Sequence, residues 1–200
     1  MKKIAIIVLL LTACIAAGRA QESRQDVSIS GTGLITPFVG SSTDVYVHSK
    51  STFGALASYR FMLTPSSALE ANYGIAYQTK YVFYTNPNVY PIPARTQEIS
   101  AAYVRTFNFK KFNPFIEAGP GVLIYLPIRN SGLGNLDAKQ QTGIGGLYGA
   151  GIAYEISPSF DIRAEYRGFV TKVPEFGLTY LNTNKWFNIY DPTVGVAYHF

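Results

Sequence analysis

The sequence predicts an all-β fold: an eight-stranded antiparallel up-and-down transmembrane β-barrel, with short turns at one end and long loops at the other. Three observations carry this prediction. Apolar and polar side chains alternate through eight segments after residue 20, and no stretch there has helical period. The connections between the segments alternate strictly between short and long, as in barrels with brief turns on one side of a membrane and extended loops on the other. The apolar stripe runs to the end of the chain in "PTVGVAYHF", whereas a terminus in water usually frays as a polar tail.

The chain opens with "MKKIAIIVLLLTACIAAGRAQ", which reads as a secretory signal peptide over residues 1–20. Lys2 and Lys3 precede an apolar run too short to span a bilayer, and the small residues Gly18 and Ala20 precede Gln21. Residues 21–200 form the barrel domain. Of 17 Lys and Arg, Lys2, Lys3 and Arg19 leave with the signal, so 14 bases face 12 acids. That balance excludes the basic stripe that nucleic-acid binding requires. Cys14 is the single cysteine and lies inside the signal, leaving no disulfide for the mature chain. "LTAC" also has the form of a lipobox that would lipidate Cys14, but a signal ending at Ala20 is complete without it. With 14% charged residues, against about 25% in soluble domains, much of the surface is not built for water.

Strands are expected near residues 27–39, 52–62, 68–81, 95–107, 114–127, 142–155, 160–172 and 187–200. "LTPSS", "NFKKFN" and "ISPS" are the short turns. "GSSTDVYVHSKS", the stretch Val82–Ala94, "IRNSGLGNLDAKQQ" and "VPEFGLTYLNTNKW" are the long loops. With an even number of strands, both termini lie at the short-turn end.

Alternation alone does not say which face is oiled. In "FDIRAEYRG", Phe160, Ile162, Ala164 and Tyr166 share one side, and Asp161, Arg163, Glu165 and Arg167 share the other. The same division places Arg60, Glu70, Glu98, Glu117 and Asp191 on the less apolar face. Two readings fit: an apolar stripe facing lipid around a charged interior, or a soluble lipocalin-like carrier whose charges face water and whose oily cup takes apolar ligands. Three features favour lipid. No tight turn sits on the long-loop side, the chain closes on Phe200, and the polar face is rich in small residues such as Gly145, Gly149, Gly151, Ala153, Gly195 and Ala197, which suit a narrow lumen.

The export signal, the eight-strand rhythm, "EAGPGVLIY", "GAGIAYEISPSFDIRAEYR" and "VGVAYHF" together resemble small Gram-negative outer-membrane barrels of the OmpA and OmpX type. The resemblance implies a cell outer membrane location and a C-terminal signal read by the barrel insertion machinery, here Val194, Val196, Tyr198 and Phe200. No peptidoglycan-binding domain follows Phe200, so the resemblance implies no cell-wall anchoring.

Function is less legible. The inward charges Arg60, Glu70, Glu98, Glu117, Asp161, Arg163, Glu165, Arg167 and Asp191 form a salt-bridged plug, and the protein serves envelope integrity or surface interaction through its long loops, with an unknown loop partner. In the alternative, Arg163 or Arg167 exchanges carboxylate partners in a narrow ion or small-solute channel. Phe53, Tyr59, Phe61, Tyr81, Phe107, Tyr154 and Tyr190 are expected in interfacial girdles. Lys50, Lys80, Arg95, Arg129, Lys139, Lys172 and Lys185 lie near the long loops and could meet lipopolysaccharide phosphates, or be ordinary solvated loop charge. Asp44, His48 and Ser49 share the first long loop and form the one constellation a lipid-modifying enzyme could use. Catalytic residues are otherwise not expected. Two histidines and no mature cysteine supply no donor set for a transition metal, and "GIGGLYGAG" lacks dinucleotide spacing, so no cofactor is expected.

Overall fold

Period-two sequences form strands because each residue then sends its side chain to a single environment, and a membrane leaves such strands no choice but to close on themselves. The computed structural model describes residues 25–40, 45–85, 88–128 and 137–200. The signal peptide expected over residues 1–20, with Cys14, lies outside the described residues, as do Asp44 and Arg129.

The strands are β1 (Gln25–Leu34), β2 (Val39–Gly40), β3 (Val45–Ser49), β4 (Thr52–Thr64), β5 (Ser67–Thr85), β6 (Asn88–Thr106), β7 (Phe112–Pro127), β8 (Gln141–Ser157), β9 (Phe160–Lys172) and β10 (Trp186–His199). Eight of them, β1 and β4 to β10, pair antiparallel in chain order. The barrel shuts where β1 meets β10, from Asp26 opposite His199 to Thr32 opposite Thr193. Short β2 and β3 stand outside this ring, with β3 laid along the far end of β5, Val45 opposite Thr85 and Ser49 opposite Tyr81.

Two expectations are corrected. In the stretch Val82–Ala94 the described residues 82–85 and 88–94 are strand rather than loop: β5 and β6 stay paired as far as Thr85 and Asn88, so the long-loop end does contain a tight connection. Pro91 and Pro93 disguised this strand. The Pro93 carbonyl points away from β5, accepting the Ile128 N–H at 2.9 Å, so the missing proline N–H also points away from β5 and costs no bond of the β5–β6 ladder. Second, Tyr81 is not in a girdle but fully buried in the lumen. A bulge between Ala76 and Thr79, opposite Thr96 and Ala94, inserts one extra residue and reverses the parity of β5 beyond it.

Elsewhere the outer face is apolar. Leu69, Tyr73, Ile99, Ile116, Ile144 and Val194 are exposed to the surroundings, and Phe53, Tyr59, Phe61, Phe107 and Tyr154 are exposed near the strand ends, with Tyr190 half-buried against Tyr166. The charges point inward, so the apolar-ligand cup of the soluble reading is not this fold.

Candidate functional site: a lumen closed by two chemistries

The inward positions nearest the termini carry charge. Arg60 and Glu70 are cross-strand partners in β4 and β5, which puts the Arg60 Nη2 2.6 Å and Nε 2.7 Å from Glu70 Oε2. The guanidinium also lies 4.9 Å from the centre of the Phe115 ring. Arg163 on β9 grips Asp26 with both terminal nitrogens, at 2.9 and 2.7 Å. His199 Nε2 stands 2.8 Å from Asp161 Oδ2 and its Nδ1 3.8 Å from Asp26, so the periplasmic mouth is crossed by linked charges.

One layer deeper, Arg167 meets four carboxylates: Glu98 at 2.6 Å, Glu117 and Asp191 at 3.3 Å, and Glu165 at 4.0 Å. Every nitrogen of that guanidinium faces an acid. Gly149 on β8 makes the layer possible, since a Cβ there would stand 2.6 Å from Glu117 Oε1. Thus Arg60, Glu70, Glu98, Glu117, Asp161, Arg163, Glu165, Arg167 and Asp191 all occupy the interior. Asp26 and His199 join them. Asp26 was missed because the first strand was expected from residue 27, although Asp26 continues the inward series of Ser28, Ser30 and Thr32.

Above this layer the lumen changes character. Tyr81, Phe83, Ile92, Leu123, Tyr125, Phe169, Phe187 and Ile189 form one apolar cluster. Phe176, from the last long loop, is driven into it and is fully buried, with ring centroids 5.6 Å from Tyr81 and 6.3 Å from both Phe83 and Tyr125. Its backbone takes a left-handed φ of 54°, a conformation that a bulky residue adopts only when its surroundings hold it there. Gln141 Oε1 is part of that hold, accepting the N–H groups of Glu175 and Phe176 at 2.7 Å each. No sequence pattern marked Phe176, because its partners are distant in the chain.

Outside, the expected lipopolysaccharide contacts separate into two groups. Lys50, just past the end of β3, Lys80 on β5 and Arg95 on β6 are neighbours, with the Lys50 N–H donating to the Lys80 carbonyl at 3.2 Å and Arg95 resting 4.7 Å from the Tyr77 ring centre. Lys139, Lys172 and Lys185 are exposed on the other side, where Lys139 stands 4.0 Å from Asp137. His48 and Ser49 do not converge: adjacent on β3, His48 is exposed and Ser49 buried. At the C-terminal end, Val194 and Val196 face outward, and Tyr198 stacks against Phe200 at 6.1 Å.

An up-and-down barrel with an oiled exterior and a charged lumen defines the class: an integral membrane β-barrel. The model of the outer membrane protein beta-barrel domain matches residues 6–200, and the chain belongs to that family. It is therefore an outer-membrane protein. Its structure is similar to Neisserial surface protein A (17% identity, 89% of this chain and 98% of that one, TM-score 0.61). It is also similar to OprG from Pseudomonas aeruginosa (10% identity, 90% and 97%, TM-score 0.62) and to Ail of Yersinia pestis in complex with the heparin analogue sucrose octasulfate (16% identity, 90% and 100%, TM-score 0.54). At these identities the likeness is one of fold. No curated protein matches the sequence.

Proposed function

We propose that this protein is a closed, non-enzymatic barrel that supports the integrity of the outer membrane and presents its extracellular end to surface partners. The observation that carries this reading is the double closure of the lumen, by the ion pairs around Arg167 and by the Phe176 plug above them. An eight-stranded barrel leaves an interior just wide enough for side chains, and both halves of this one are filled.

A second reading has one observation in its favour. Arg167 touches four carboxylates, so it can trade partners without ever being unpaired, as a narrow gated channel would need. Single-channel recording on purified protein in planar bilayers separates the two: the closed barrel gives no steady conductance, and reproducible unitary currents would replace it with the channel.

Val194, Val196, Tyr198 and Phe200 serve in this reading as the signal for the barrel insertion machinery. Support comes from the outward apolar series ending in stacked rings at the closing seam. Deleting Phe200 is expected to leave unfolded protein in the periplasm, measured as loss of the heat-modifiable band.

A further inference from the structure

The outer face of β3, β5 and β6 changes composition with height. Within the membrane band it presents Leu69, Tyr73, Tyr77 and Ile99. Beyond the β5 bulge it presents cations: Lys80, with Lys50 beside it on the β3 side and Arg95 on β6 resting over Tyr77. Higher still come rings. Tyr46 stands opposite Tyr84 across the β3–β5 ladder, and Phe38 stacks on Tyr46 with centroids 5.5 Å apart and planes 22° from parallel. Gly40 allows this, because a Cβ there would lie 2.8 Å from the Tyr46 ring. Phe38 is 60% exposed, Tyr46 39% and Tyr84 41%, an apolar platform held above the membrane that no described residue covers.

The charge of the face is one-sided. Among the described residues 36–40, 45–51, 79–85 and 88–97 there is no Asp or Glu, so none of these described residues offers its cations a carboxylate. Tyr84 lies four positions beyond Lys80. At about 3.3 Å per residue and a tilt near 40°, the rings stand about 10 Å above the cations, the reach of one or two further sugars.

We infer that this face binds a phosphorylated glycolipid of the outer leaflet. Its acyl chains lie along Tyr73 and Ile99, its phosphates meet Lys50, Lys80 and Arg95, and the apolar C–H faces of its outer sugars stack on Phe38, Tyr46 and Tyr84. The vertical order of the protein's surface, oil then cation then ring, is the order of the three chemical zones in such a lipid. A free anionic ligand would use the cations alone, with no need of the rings or of the lipid-facing stripe beneath them. The inference rests on the outer-membrane placement of the barrel and is independent of whether the lumen conducts.

The test uses the full mature chain in phospholipid nanodiscs, with bound lipid counted by native mass spectrometry after addition of purified lipopolysaccharide, or of lipid A carrying phosphates and chains but no outer sugars. Folding of each variant is checked by heat-modifiable mobility. K50Q/K80Q is expected to weaken binding of both lipids about thirtyfold. F38A/Y46A/Y84A should leave lipid A binding unchanged and abolish the preference for lipopolysaccharide over lipid A. K139Q/K185Q, on the other side, should change neither. Unchanged binding by K50Q/K80Q, an equal loss in K139Q/K185Q, or full displacement of the glycolipid by inorganic phosphate would each overturn the inference.

Discussion

From Asp191 to the periplasmic mouth, the lumen among the described residues holds three arginines, Arg60, Arg163 and Arg167, against seven carboxylates and His199. From Thr79 to the extracellular mouth it holds rings and aliphatic side chains gathered round Phe176. In the proposed closed barrel, the two halves exclude a continuous water path by opposite means. Ion pairs are directional, and here both members of each pair stand on strands of the wall itself, some as cross-strand partners, as Arg60 and Glu70 are, and some across the lumen, as Arg167 and Glu98 are. The apolar half is filled by volume, and the wall alone does not fill it, so a loop is folded inward to finish the packing. Charged closure should therefore be part of the cooperative barrel, and apolar closure a local structure able to open alone.

The sharpest way to break this distinction is Arg167→Met, which keeps volume and leaves Glu98, Glu117, Glu165 and Asp191 without their cation. Removing one partner of a buried ionic cluster costs about 3–5 kcal/mol, so urea unfolding in lipid vesicles should show a global loss of that size. A shift under about 1 kcal/mol would mean the four acids are stabilised by something other than Arg167.

Phe176→Ala should behave differently. Truncating a buried phenylalanine costs about 3 kcal/mol or more, but here the loss falls on the opening of one loop. Amide exchange at residues 175–178 is expected to quicken about a hundredfold while the urea midpoint of the strands stays in place. A comparable loss of global stability would show that the plug and the barrel unfold together.

These two sites were not equally legible in the sequence. Arg167 and its acids could be placed because strict alternation assigns a face to every residue of a regular strand, and charges inside a narrow barrel must pair. Asp26 escaped through a strand boundary set two residues late. Tyr81 escaped because parity holds only as far as the next bulge, and nothing in "YGIAYQTKYVFY" marks where the extra residue enters. Pro91 and Pro93 hid the β5–β6 extension, since a proline signals a loop unless its missing N–H is known to face away from the pairing strand. Phe176 was beyond reach for a different reason: its burial depends on Tyr81, Phe83 and Tyr125, three side chains whose own facing had first to be known.

Asp26→Asn probes the mouth, where the ion pairs approach water. The Arg163 guanidinium would keep one oxygen partner and lose the charge of its bidentate acid, an effect of about 2 kcal/mol on global stability. Because His199 is also near Asp26, the comparison is best made in the background of His199→Gln. If the pair belongs to the cooperative barrel, Asp26→Asn costs the same in both backgrounds, to within about 0.5 kcal/mol. A cost that vanishes without His199 would assign the stabilisation to the histidine.

The smallest expected effect belongs to Gln141, whose single carbonyl oxygen holds the two backbone N–H groups that set the unusual turn at Phe176. Gln141→Ala leaves both donors to water, because the loop lies at the extracellular mouth, so the loss is about 1 kcal/mol rather than the full desolvation of two buried groups. It should appear as a roughly fivefold faster amide exchange at Phe176, with the strands and the ion pairs below untouched. Exchange that instead quickens as much as in Phe176→Ala would show that the ring stays inside only because Gln141 fixes the backbone, making hydrogen bonding, not apolar packing, the force that shuts the upper half.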